Sequence, residues 1–255
     1  MFKVSMAWVV AWTGVALVWA EPVHVFDAQG FESYQLGPIS GQNNWWGGGL
    51  NFNPKGLPGA EPVIAALPDG SRALRLEVPD SNGAYSGVAA HWAATPIPPA
   101  SNPVTVEYDI LRVRDAWASN LWWNWQMYAG DQPGGLQWDS SSGTSVTLAF
   151  GFGGPSRPTA MGRWAHLKTT YHFVQQWATA EYDGTALGPV SFGSTQMPVG
   201  YEIDLLHDEA SGSGPETVWI DNFVVTATPE PGSAALLLLV LAGARGFRGA
   251  GRSGR

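Results

Sequence analysis

Apolar residues recur at every second position in short runs along most of this chain, and Gly, Pro, Asn or Asp separates the runs. In residues 104–110, Val104, Val106, Tyr108 and Ile110 share one parity, while Thr105, Glu107 and Asp109 share the other. Residues 73–78 alternate Leu74 and Leu76 with Arg75 and Glu77. Residues 145–152 repeat the pattern with Val146, Leu148, Phe150 and Phe152, and residues 165–173 with Leu167, Tyr171 and Phe173. Residues 218–225 close the series. Successive side chains of a strand point to opposite faces, so this period marks strands with one face buried and one in water. Few polar stretches reach helical length and period. Half-buried strands need a second layer to cover them, and at this size a jelly roll is the usual solution.

The expected fold is therefore all-β: a two-sheet antiparallel β-sandwich of jelly-roll type. The 32 Gly and 19 Pro supply the turns that many short strands need. There is no cysteine among the 255 residues, so disulfides and thiol chemistry are excluded, but a chain of this length buries a core without staples. Residues 21–228 carry 8 Lys+Arg against 20 Asp+Glu, a net of −12. Such a surface repels phosphates, which excludes nucleic acid as a partner.

The two ends read as addresses. Lys3 precedes an apolar run over residues 4–19, and Ala20 before Glu21 forms a signal-peptidase site. A retained anchor is the alternative. At the other end, Pro229-Glu230-Pro231 is followed by 11 apolar residues, 234–244, and then by Arg245, Arg248, Arg252 and Arg255. That stretch is short of the roughly 20 residues of a spanning helix. The arginines would hold its end at the cytoplasmic face. The expected organisation is a signal peptide (1–20), a sandwich domain (21–228) and a tail (229–255) with a short hydrophobic helix.

Pro-Glu-Pro, a short apolar helix and an arginine cluster at the C-terminus of an exported chain resemble the PEP-CTERM sorting domain. Pro229, Glu230 and Pro231 match its motif, although the arginines here are interleaved with glycines rather than packed together. The resemblance implies recognition and cutting by an exosortase-type membrane transpeptidase after signal peptidase has acted. It also implies transient anchoring in the inner membrane and delivery to a Gram-negative envelope or extracellular polysaccharide matrix. An ordinary tail anchor is the rival, and it too leaves the domain outside the cytoplasm.

Gly162-Arg163-Trp164-Ala165-His166-Leu167, followed by Tyr182-Asp183-Gly184, is similar to a strand and hairpin of concanavalin A-like and laminin-G-like sandwiches. The opening Phe26-Asp27 and Gly30-Phe31-Glu32-Ser33 pairs with the closing Val218-Trp219-Ile220-Asp221-Asn222-Phe223 as in several jelly-roll modules. In those modules a calcium ion often joins the first and last strands. The resemblance makes Glu32 and Asp221 candidate ligands, with Asp27 as a further one, and an exposed edge carboxylate is the bland alternative. No cofactor is required.

Carbohydrate chemistry points to residues 120–128. Period two places Leu121, Trp123, Trp125 and Met127 on one face and Trp122, Asn124, Gln126 and Tyr128 on the other. The second set mixes aromatic plates, which stack on sugar C–H patches, with amides that read hydroxyls. Packing beneath a loop is the competing reading. Trp138 and the Trp45-Trp46 pair beside Gly47-Gly48-Gly49 are further candidates; those glycines could admit a ligand or simply make a turn. A glycosidase needs two carboxylates facing each other across a cleft. Glu107 and Asp109 are two apart, with Glu181 and Glu202 elsewhere, but Arg112 breaks the Glu-x-Asp-x-x-Glu signature of one jelly-roll glucanase family. The five histidines form no metal motif, and no nucleophile elbow or phosphate loop is present. The leading expectation is a non-enzymatic envelope or matrix protein that binds exopolysaccharide. The rivals are a secreted glycoside hydrolase on the same fold and a structural protein without a small ligand.

Overall fold

The computed structural model describes residues 21–50, 61–78, 86–93, 101–113, 121–129, 132–133, 137–138, 145–147, 155–158, 162–191, 200–207 and 216–229. The expected signal peptide and the expected hydrophobic helix of the tail lie outside the described residues, as does the expected strand beyond Thr147 up to residue 152. Among the described residues no helix is long and apolar enough to cross a membrane.

The strands are β1 (Val23–Asp27), β2 (Gly37–Pro38), β3 (Trp45–Leu50), β4 (Val63–Ala66), β5 (Arg72–Val78), β6 (Ser86–Ala93), β7 (Ser101–Val113), β8 (Leu121–Ala129) and β9 (Gln132–Pro133). They continue with β10 (Gln137–Trp138), β11 (Ser145–Thr147), β12 (Ser156–Pro158), β13 (Trp164–His172), β14 (Trp177–Tyr182), β15 (Thr185–Ser191), β16 (Gly200–His207) and β17 (Glu216–Pro229). Nine of them make one sheet in the order β15-β14-β13-β7-β17-β5-β4-β2, with β1 also on β17. Six make the second, in the order β10-β8-β16-β6-β3, with β9 on β8. Every pairing in both sheets is antiparallel. The compact β unit runs from Pro22 to Pro229.

The alternation decides which residues meet between the sheets. Val104, Val106, Tyr108 and Ile110 of β7 are buried, as are Leu167 and Tyr171 of β13 and Leu74 and Leu76 of β5. From the six-stranded sheet, Val88, Ala90 and Trp92 of β6 and Tyr201, Ile203 and Leu205 of β16 face them. The aromatic centre of this core is Phe223, whose ring lies 5.2 Å from Trp45, 5.6 Å from Tyr201, 5.9 Å from Tyr108, 6.0 Å from Phe26 and 6.1 Å from Trp92, centroid to centroid. Tyr108, Tyr171 and Tyr201 neighbour one another there, and burial pushes all three hydroxyl pKa values well up. These phenols stay neutral, as a closed interior requires.

Strand β17 changes phase midway. Val218 and Ile220 point inward, then Phe223, Val225 and Ala227. A bulge between Asp221 and Val224 inserts the extra residue, and Asn222 there takes φ 51°. An unpaired residue in a left-handed conformation is how a strand reverses its faces without leaving the sheet. The opening and closing segments pair as expected: Val23 lies opposite Ala227, Asp27 opposite Val224, and the Ala28 N–H donates to the Phe223 carbonyl. Asp183 and Gly184, at φ 51° and 76°, make the two-residue turn joining β14 to β15. The Arg163 guanidinium bonds the Asp183 carboxylate and lowers its pKa.

Candidate functional site

Register across the six-stranded sheet sorts its outer face into rows, because directly paired residues share a face. Trp46 of β3 pairs with His91 of β6, His91 with Glu202 of β16, and Glu202 with Gln126 of β8. The neighbouring row runs from Gly48 through Ala89 and Asp204 to Asn124 and Gln137. Trp122 takes the position beside Leu206, and Tyr128 the position beside Gly200. The residues Trp122, Asn124, Gln126 and Tyr128 therefore occupy register positions on the face that carries Trp46, His91 and Glu202. Trp123, Trp125 and Met127 pair with buried Leu205, Ile203 and Tyr201. Trp138 separates from the others: it pairs with Trp123, in the row of the buried positions, and Gln137 takes the place beside Asn124. Nothing further is described of the side chains of β8 and β10.

The two adjacent tryptophans of β3 part company. Trp45 is 1% exposed and belongs to the core, whereas Trp46 is 51% exposed on the outer face. The Trp46 ring stacks on the His91 imidazole, with centroids 4.5 Å apart and planes 18° apart. His91 Nδ1 lies 3.1 Å from Glu202 Oε2. An ionised carboxylate only accepts, so Nδ1 carries the proton of this bond. Gly200 completes the arrangement, since a Cβ there would stand 2.7 Å from His91 Nε2. Any side chain at position 200 would displace the imidazole. The result is an aromatic plate braced from beneath by a ring that is itself held by a carboxylate.

Gly47 has a packing role: a Cβ there would meet the Pro62 ring at 2.5 Å and the Ala89 carbonyl oxygen at 2.7 Å. It sits within β3 rather than in a turn.

On the outer side of the nine-stranded sheet, Glu107 and Asp109 are engaged with their neighbours. Lys168 Nζ lies 3.0 Å from Glu107, His166 Nδ1 2.8 Å from Asp109, and Asn222 Nδ2 donates to Asp109 Oδ2 at 2.7 Å. A groove of about 310 Å³ nearby is lined by Lys168, Thr170, Thr179, Glu181 and Leu187 among others. It presents no aromatic plate.

Glu32 and Asp221 do approach each other at Gly30, where a Cβ would lie 4.0 Å from Glu32 Cγ and 3.3 Å from Asp221 Oδ1. One oxygen of each carboxylate accepts a backbone N–H. The Arg72 backbone N–H donates to Glu32 Oε1 at 2.9 Å, and the Asn222 N–H to Asp221 Oδ1 at 2.7 Å. The Arg72 guanidinium donates to the carbonyl oxygens of Glu32 and Tyr34. Asp27 Oδ1 accepts the Gln29 N–H. Desolvation, with Asp109 and Glu32 nearby, raises the Asp221 pKa. Among the described residues no group of three or more His, Asp or Glu side chains is arranged to hold a metal ion. Calcium takes six to eight oxygens at roughly 2.3–2.6 Å, more than Glu32 and Asp221 supply by themselves. The expected calcium is tested with a chelator: an ion bound here stabilises by RT ln(1 + [L]/Kd), so its removal is expected to lower the melting temperature by several degrees, reversed by added calcium, and an unchanged melt removes the ion.

No protein-family model and no curated protein matches the chain. Solved structures do share its fold. One titled as a sialidase superposes with a TM-score of 0.52 at 14% identity, over 79% of this chain and 18% of its own length. The catalytic domain of a glycoside hydrolase family 131 protein from Coprinopsis cinerea superposes at 0.50 and 13% identity, over 79% of this chain and 93% of its own. This chain thus corresponds to less than a fifth of the sialidase's length. At such identities the likeness shows the jelly-roll fold alone.

Proposed function

We propose that this protein is an exported envelope or matrix component that binds polysaccharide through the outer face of its six-stranded sheet and catalyses no reaction. The observation that carries the reading is the Trp46 ring, half in solvent and braced by His91 and Glu202. An aromatic plate fixed at a surface is ready to stack on a ligand without first losing rotamer freedom. Sugar rings are suited to cover it, since their C–H faces stack on indole while their hydroxyls need amide and carboxylate partners. Gln126 and Asn124 hold register positions in the same and the next row. The names of two of the proteins that share the fold, sialidase and glycoside hydrolase, agree with a carbohydrate ligand. The test is a glycan panel probed with the full chain and its Trp46→Ala variant.

A hydrolase is the second reading. Glu202 and Asp204 fall two residues apart on one strand and one face, next to the aromatic row. A carboxylate pair is what glycoside hydrolysis needs. Release of reducing ends from any chain that binds would establish it, and binding without release would leave the binding module. Absence of binding to every glycan would leave a structural protein.

The ends of the chain support delivery to the surface through signal peptidase and an exosortase-type transpeptidase, with Ala20–Glu21 and Pro229-Glu230-Pro231 as the processing sites. Pro229 is also the last residue of β17, paired with Ser101. In a host with an exosortase, intact-mass measurement of the envelope or matrix fraction is expected to give a species that begins at Glu21 and ends near Pro229. A species retaining Met1 or Arg255 overturns the sorting.

A further inference from the structure

The basic residues of the two sheets are segregated. Strands β3, β6, β8, β9, β10 and β16, which make the six-stranded sheet, contain no Lys or Arg. Their ionisable residues are Glu202, Asp204, His91, His207 and the tyrosines. Arg72 and Arg75 of β5, Arg112 of β7 and Lys168 of β13 all lie on the nine-stranded sheet. Glu202 holds a register position in the Trp46 row, and Asp204 one in the next. The one basic group described beside the plate, His91, is bonded to Glu202, and the two side chains keep 14% and 12% of their surface exposed.

Recognition of a carboxylate or sulfate on a sugar relies on Arg or Lys, which meet the anion with charge-assisted hydrogen bonds. By register, the strands beside the Trp46 plate bring to its face an indole, amides and carboxylates instead. Carboxylates accept from hydroxyls well and repel other anions at close range. The net of −12 over residues 21–228 extends the repulsion beyond contact distance.

Resting on the polysaccharide-binding reading, we infer that the site takes glycan chains free of acidic groups and excludes uronate- and sulfate-bearing chains. Glu202 is the residue that sets this selectivity next to the plate, with Asp204 in the adjoining row.

The experiment measures binding of the full chain to uncharged glucan, mannan, xylan and chitin oligomers, and to polygalacturonate, alginate and a sulfated glycan. Methyl-esterified polygalacturonate serves as the charge-free match to one acid. Binding confined to uncharged chains is expected, with the acidic ones at least about tenfold weaker, the size of one close like-charge contact. Residual binding to acidic chains should strengthen as salt rises, because screening relieves repulsion. Glu202→Gln should narrow the gap severalfold. A uronate or sulfated chain that binds as tightly as the uncharged ones, or whose binding weakens with salt, overturns the selectivity and leaves the polysaccharide reading standing. Failure of every chain to bind overturns both. The salt dependence is read on the unaltered protein, so the inference can be refuted even if the Glu202 variant does not fold.

Discussion

Phe223→Ala is expected to cost about 3–5 kcal/mol, the range for deleting a large aromatic from a closed core. Phe223 is fully buried, and five aromatic rings surround it at 5.2 to 6.1 Å. Trp92 and Tyr201 among them belong to the six-stranded sheet, while Phe223 and Tyr108 belong to the nine-stranded one. The side chain is thus a rivet between layers, and the rings around it are too large and too constrained to collapse into the gap. The residue follows a bulge at Asn222, so the local backbone has little freedom to bring another apolar group inward. For a domain of about 200 residues the loss corresponds to a fall of about 6–20 °C in melting temperature. Against a total stability of about 5–15 kcal/mol, it leaves some of the molecules unfolded before heating begins. Denaturant and thermal melts of the variant measure it directly. A cost below about 1 kcal/mol would show that the two sheets do not depend on this contact.

Trp46→Ala should do the reverse, sparing stability and removing binding. The side chain is 51% exposed, and its principal described contact is the His91 ring. Exposed substitutions of this kind shift stability by no more than about 0.5 kcal/mol, with some addition for the lost stacking. An aromatic plate at the centre of a binding face contributes about 2 kcal/mol or more, so affinity for any bound glycan should fall about thirtyfold. Isothermal titration beside a melting curve separates the two effects. Unchanged affinity in a folded Trp46→Ala protein would move the site off this sheet. Trp46→Phe, which keeps a plate of smaller area, should fall between.

Much of the sandwich was legible because alternation is written into single residues. Val104 to Ile110 named the buried face of β7 without any knowledge of its neighbours, and Asp183-Gly184 named a hairpin. The phase change of β17 was not legible in the same way. Nothing in Ile220-Asp221-Asn222-Phe223 says which residue will be the extra one, since that is decided by register against Asp109 and Glu107 on β7. The site shows a similar division. Two adjacent tryptophans in a strand must face opposite ways, yet only the layers above and below decide that Trp45 is inside and Trp46 outside. The His91–Glu202 pair links residues 111 positions apart and has no sequence signature. One signal was available: His91 is the ionisable residue of an otherwise apolar strand and has the parity opposite to core Val88, Ala90 and Trp92, although Ala89, which shares its parity, is buried too. Arg72 likewise looks like any surface arginine in sequence, and only its bonds to the carbonyls of Glu32 and Tyr34 disclose what it holds.

Strand β17 runs 14 residues, is flanked by β7 on one side and by β5 and β1 on the other, and ends at Pro229 where the tail sequence starts. Tension drawn through that tail would pull β17 along its own length. All its ladder bonds to antiparallel neighbours would then be strained together in shear, instead of opening one after another like a zipper. A protein tethered by this end and gripped through its other sheet would carry load through the most extensively paired of its described strands.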